Sequence, residues 1–225
     1  MRKQRGFTLV EVAIALGVMG ALATISILAL RGVRQRGNYA SATGDVVGAL
    51  RLARSESFSR GQAVYFIVDT NVTTDALGGP ASPRWWVLLD VGGNFDFTAW
   101  DPANPAGLGD RVLSNGILPN GVTINAPSGY PKQLKQPYQL IPATSPAPTA
   151  TPVYCSFCGT SGAKNGYGWV RFSPGSAPTA TFTAGTTSSS FGQQLTLTTN
   201  NGTVDFTMVV AILARSGAVT TEEQP

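Results

Sequence analysis

Residues 7–30 form one long apolar run, FTLVEVAIALGVMGALATISILAL, broken by a single charge at Glu11. As a helix these 24 residues would span about 36 Å, enough to cross a bilayer. From Tyr39 onward apolar residues recur at helical spacing: Tyr39, Ala42, Val46, Ala49, Leu50, Ala53, Ser57 and Phe58. Arg51, Arg54, Glu56 and Arg60 lie between them, so the stretch predicts a helix with one apolar stripe and a polar back. Gly37-Asn38 is the expected break or bend, and Gly61 the expected C-terminal cap.

Beyond Gly61 the period drops from about 3.6 to 2. Strands are expected at Ala63–Val68, Trp85–Asp90, Gly121–Asn125, Gly168–Ser173, Gln194–Thr198 and Val204–Ala214. In the last of these, Val204, Phe206, Met208, Val210 and Ile212 share one face, with Asp205 and Thr207 on the other. Between the strands lie turn-rich loops at Leu77–Pro83, Gly92–Gly109 and Pro142–Pro152, the last reading as extended, polyproline-like chain. The expected class is α+β: a helix that is first membrane-spanning and then amphipathic, its apolar stripe packed on the chain's own antiparallel β head.

Composition sharpens this picture. Charged residues are only 12% of the chain, Gly and Pro are abundant, and there is no His. The missing imidazole removes most general-base and nucleophile-activating arrangements and the commonest metal ligand. No catalytic dyad or phosphate loop is visible, so no enzymatic activity, cofactor or metal is expected. The net charge of +4 is unevenly spread: Arg2, Lys3 and Arg5 precede the apolar run, and without them 13 basic residues face 12 acidic ones. Residues 31–60 hold six Arg against Asp45 and Glu56, whereas residues 61–225 are slightly acidic. A head that read nucleic acid would be expected to carry a basic patch. The basic charge lies instead beside the membrane segment, where it would meet anionic headgroups.

Cys155 and Cys158 form a lone CxxC. With no second pair and no His, the pattern argues against a four-ligand zinc site within one chain. The surroundings favour a short structural disulfide, with free thiols or a redox motif as the alternatives. Asp90, Asn94, Asp96 and Asp101 cluster within twelve residues, but their spacing departs from the EF-hand loop and reads as Asx turns rather than a calcium site. Trp85, Trp86 and Trp100 are expected to pack rather than to form a ligand platform.

The acid in the apolar run carries the most information. A carboxylate in a membrane-length helix costs roughly 2.5–3.5 kcal/mol on insertion scales, so a chain that keeps one there uses it. The leader ending in Gly6, followed by Phe7-Thr8-Leu9-Val10-Glu11, resembles the processing site of type IV pilins and type II secretion pseudopilins. By that resemblance, prepilin peptidase cuts between Gly6 and Phe7 and Phe7 becomes N-methylated. Residues 50–56, Arg60–Val64, Trp86–Asp90, Leu118–Ile124, Val170–Gly175 and a last strand running to Ser216-Gly217-Ala218-Val219 resemble the GspH/FimT branch in the same order. The resemblance implies a leader at 1–6, a transmembrane assembly helix at 7–30, an amphipathic stem at 31–60 and a β-sandwich-like exported head at 61–225. It also implies a minor pilin or pseudopilin held in the inner membrane with its head in the periplasm. Its partners would be prepilin peptidase, other minor subunits and the major pilin. Members that bind DNA resemble one another in a Gly-Arg-x-Arg ending. Here Ala218 follows Gly217 and no arginine follows Arg215, which argues against nucleic acid as a partner. A tip subunit whose head binds DNA or a surface ligand is the alternative reading.

Overall fold

The computed structural model describes residues 8–71, 82–107, 109–124, 155, 157–158, 165–175, 179–181, 193–200, 205–213 and 216–224. The chain divides into two compact units, Met1–Gly37 and Asn38–Pro225. Helix α1 spans Leu9–Arg60. It is helical through Gly37 and Asn38, so the expected break there is absent, although the boundary between the units falls at that point.

In the first unit, Leu9–Ile27 is apolar enough to cross a membrane, with a mean hydropathy of 2.1 and no part of it buried. Leu9, Ile14, Met19 and Ile25 are each more than half exposed. Burial against water is the term that normally holds such side chains inside. A helix left apolar on all sides is made for lipid or for other helices.

In the second unit the stem half of α1 forms one wall of the main core. Tyr39, Ala42, Val46, Ala49, Leu50, Ala53 and Ser57 are buried, with Thr43 and Val47 beside them. Phe58, placed on the same stripe by spacing, is instead 54% exposed. The helix stops at Arg60 because Gly61 takes φ +64° and donates its N–H to the Ser57 carbonyl, a left-handed cap that a residue with Cβ enters only at a cost.

Among the described residues nine strands follow: β1 Val64–Asp69, β2 Arg84–Leu89, β3 Arg111–Ile117, β4 Val122–Ile124, β5 Tyr167–Phe172, β6 Thr179–Thr181, β7 Gln193–Asn200, β8 Asp205–Ile212 and β9 Val219–Gln224. They form two antiparallel sheets, in the orders β3-β2-β1-β5-β6 and β4-β7-β8-β9. The inner face of the first sheet (Val64, Phe66, Val68, Val87, Val170, Phe172) meets Leu195, Leu197, Val210 and Ile212 of the second and the buried stripe of α1. The outer face of the first sheet is also covered. Tyr65, Ile67, Trp86 and Leu88 lie under Phe95, Phe97 and Trp100 of the β2–β3 loop. Tyr65 stacks on Phe95 at 4.1 Å and Trp86 meets Trp100 edge-on at 5.2 Å. All three tryptophans named from the sequence are thus packing residues.

The strands also depart from the sequence reading. The last strand does not run on to Val219: β8 ends at Ile212. Leu213 N–H donates to Ala218 O, and Gly217, at φ +64°, donates to Leu213 O. β9 then returns alongside β8. β3, unanticipated, contains Gly116 opposite Trp85. A Cβ there would stand 2.5 Å from the Trp85 ring, so the strand carries a glycine to let the indole lie across it. The Leu77–Pro83 loop lies mostly outside the described residues, and the Pro142–Pro152 loop entirely so.

Candidate functional site

The start of α1 is built by two side chains. Thr8 is the N-cap: its Oγ1 accepts the Glu11 N–H at 3.2 Å. Glu11 reaches back, its Oε2 accepting the Thr8 N–H at 2.8 Å and the Thr8 hydroxyl at 2.9 Å. This is the reciprocal capping box of a Thr-x-x-Glu sequence, satisfying donors that a helix start would otherwise leave open. The Thr-x-x-Glu spacing of residues 8–11 is the sequence signal for it. Gly6 and Phe7 lie outside the described residues.

In the head, the acidic cluster resolves into turns. Asp90 Oδ1 accepts the Asn94 N–H, Asp96 Oδ1 accepts the N–H and the hydroxyl of Thr98, and Asp101 Oδ1 accepts the Ala103 N–H. These are the local hydrogen bonds that make Asp and Asn turn residues. No group of three or more His, Cys, Asp or Glu side chains placed to hold a metal occurs among the described residues. Cys155 and Cys158 are joined by a disulfide. Each is bridged to a different sheet, Cys155 to Leu195 of β7 and Cys158 to Gly168 of β5.

A surface groove of about 420 Å³ lies between the stem and the β8–β9 turn, lined by Arg51, Arg54, Ser55, Phe58, Ala218 and Val219. The Arg54 guanidinium sits 5.7 Å above the exposed Phe58 ring, while its Nε is buried without a hydrogen-bond partner. Arg60, by contrast, is paired with Glu56 one turn away.

An apolar N-terminal helix followed by two antiparallel β-sheets is an α+β architecture of the pilin-like kind. Residues 1–27 match the family model of the prokaryotic N-terminal methylation motif. That match indicates a type IV pilin-like protein, membrane-anchored by its N-terminal helix, processed by prepilin peptidase and assembled with other pilins. The motif points to a structural protein rather than an enzyme. No curated protein and no solved structure matches the chain.

Proposed function

We propose that the chain is a minor pilin or pseudopilin of the GspH/FimT branch, which helps initiate or cap a type IV pilus or a type II secretion pseudopilus. Prepilin peptidase cuts between Gly6 and Phe7, and Phe7 is then N-methylated. The observation behind the reading is the methylation motif leading into an apolar helical segment, Leu9–Ile27, that is unburied and carries one acid, Glu11. Cleavage leaves an α-amine at Phe7. An amine and a carboxylate are each costly alone in low dielectric and favourable as a pair. Between subunits staggered along a filament, Glu11 of an entering subunit meets the amine of its neighbour. The head stays in the periplasm and the apolar helix passes from lipid into a bundle of like helices. Co-expression with prepilin peptidase should yield a protein lighter by residues 1–6 and heavier by one methyl group at Phe7, read by intact mass and peptide sequencing. An unprocessed chain sinks the proposal.

One observation favours a second reading, a tip subunit whose head binds nucleic acid. The groove joins two guanidiniums to an exposed ring, the combination that holds phosphates and stacks a base. If so, the purified protein shifts single-stranded DNA in a gel with affinity that falls as salt rises, and Arg51→Ala with Arg54→Ala lowers that affinity about tenfold or more. Equal binding by the double variant removes the groove from this reading.

A further inference from the structure

Asp90 and Asp110 stand at the two ends of the 91–109 loop. Leu89 of β2 pairs with Arg111 of β3, so Asp90 and Asp110 are the next positions along those two strands, one across from the other. Leu89 faces the main core and Leu88 and Val112 the outer cluster, which places both aspartates on the outer face. Both are buried, at 4% and 5% exposure. Like charges facing each other across a sheet destabilise it, and burial sharpens the penalty.

The two carboxylates are not equally supplied. Asp90 accepts the Asn94 N–H at 3.1 Å. Neither oxygen of Asp110 has a hydrogen-bond partner, although both are sealed from solvent. Burial and then the Asp90 charge push the Asp110 carboxyl above the usual carboxylate range; the Val91 amide pulls the other way without closing a well-formed hydrogen bond. Tyr65 registers the same field. Burial and the charges of Asp90 and Asp110 push it up to about 12, against the pull of Arg171. Arg171 itself lies over the Tyr65 ring, 5.9 Å from its centroid. The contrast with Asp69 is direct. That buried carboxylate accepts the Asn71 N–H at 2.9 Å and is further supported by Tyr167 and Arg84. Asp110 has no such support, and two unpaired buried oxygens facing a second carboxylate call for a cation.

We propose that Asp90 and Asp110 together hold a calcium ion that closes the base of the 91–109 loop. The chemistry of the donors selects the class. Only oxygens are present, with no imidazole anywhere in the chain, and the only two cysteines are bonded to each other. Two carboxylates neutralise a divalent charge. Calcium accepts six to eight oxygens at about 2.3–2.6 Å in irregular geometry, so loop carbonyls and water complete its shell, whereas magnesium demands a near-regular octahedron. Binding would fasten the loop whose Phe95, Phe97 and Trp100 roof the outer face of the first sheet. The proposal does not depend on the pilin reading.

The test uses the full chain in detergent, stripped with chelator and then titrated with calcium chloride. Isothermal titration should show one site with Kd of roughly 10⁻⁴–10⁻³ M, the range of extracellular modules. About 10 mM calcium should raise the Tm at pH 7 by about 5–10 °C over chelator. Asp110→Asn should abolish that rise, and in chelator it should melt above the wild type because the opposed charges are gone. The same titration with magnesium should give little response. No calcium binding by the wild type overturns the proposal, as does a full calcium response in Asp110→Asn or an equal response to magnesium. A Tm that rises on acidification with no calcium response replaces the cation with a shared proton, and overturns it too.

Discussion

Glu11→Val is expected to be made, inserted and cleaved, yet to reduce filament assembly or secretion by about tenfold or more at native expression. The free energies fit that scale. Removing one partner of a desolvated ion pair costs about 3–5 kcal/mol, and each 1.4 kcal/mol is a factor of ten. The structure adds a competing explanation that must be separated. Glu11 also closes the capping box with Thr8, so valine removes a cap worth about 1 kcal/mol as well as a charge. Glu11→Gln distinguishes the two. Glutamine keeps an oxygen for the Thr8 N–H and hydroxyl and has no charge for a neighbouring amine. Glu11→Gln should therefore assemble as poorly as Glu11→Val, read by pilus counts or secreted product alongside a blot for the cleaved subunit. Wild-type assembly by Glu11→Gln would reduce Glu11 to a helix cap.

The same two bonds alter the picture of the unassembled subunit. Its acid is not an orphan in lipid: it is held by donors three residues earlier in its own chain. On the proposed reading, entry into a filament would exchange these hydrogen bonds for an ion pair, and Glu11 would favour assembly only by the difference between them.

The sequence was most legible where one face of an element is apolar and the other is not. The stem stripe from Tyr39 to Ser57 and strands β5 and β7 carry that contrast; β1 and β2 are buried on both faces and stood out instead as nearly continuous apolar runs. β3, β6 and β9 were not anticipated; all three lie at sheet edges, as does β4, which was. The exposed and half-exposed residues of β3 and β9 include Ser114, Asn115, Gly116, Thr220 and Glu222, which read as turn or loop. Phe58 was misplaced because helical spacing predicts a face but not where the opposing surface ends. The helix is not broken at Gly37-Asn38 because a single glycine costs about 1 kcal/mol, which a long helix absorbs. Asp110 could not be singled out at all. Its interest lies in sitting across from Asp90, and that depends on the pairing of β2 with β3, which residue order alone does not reveal.

The CxxC illustrates the same limit, and it carries the second large effect. Between the cysteines sits Phe157, fully buried in the main core. The short loop bridges Leu195 of one sheet and Gly168 of the other, so Phe157 acts as a plug where the two sheets meet. Gly168 is shaped for it: a Cβ there would stand 2.5 Å from the Phe157 carbonyl oxygen and 2.8 Å from the Cys158 Cα, both backbone atoms that cannot step aside. Phe157→Ala is accordingly expected to cost about 3–5 kcal/mol, the range for emptying a buried aromatic site, and to lower Tm by about 10 °C. Replacing both cysteines with alanine should cost less, about 2 kcal/mol, because a cross-link closing so short a loop removes little chain entropy. The ordering is the content of the prediction. Thermal unfolding of the three proteins side by side checks it, with equal or greater loss in the cysteine pair showing that the bond, and not the plug, holds the sheets together.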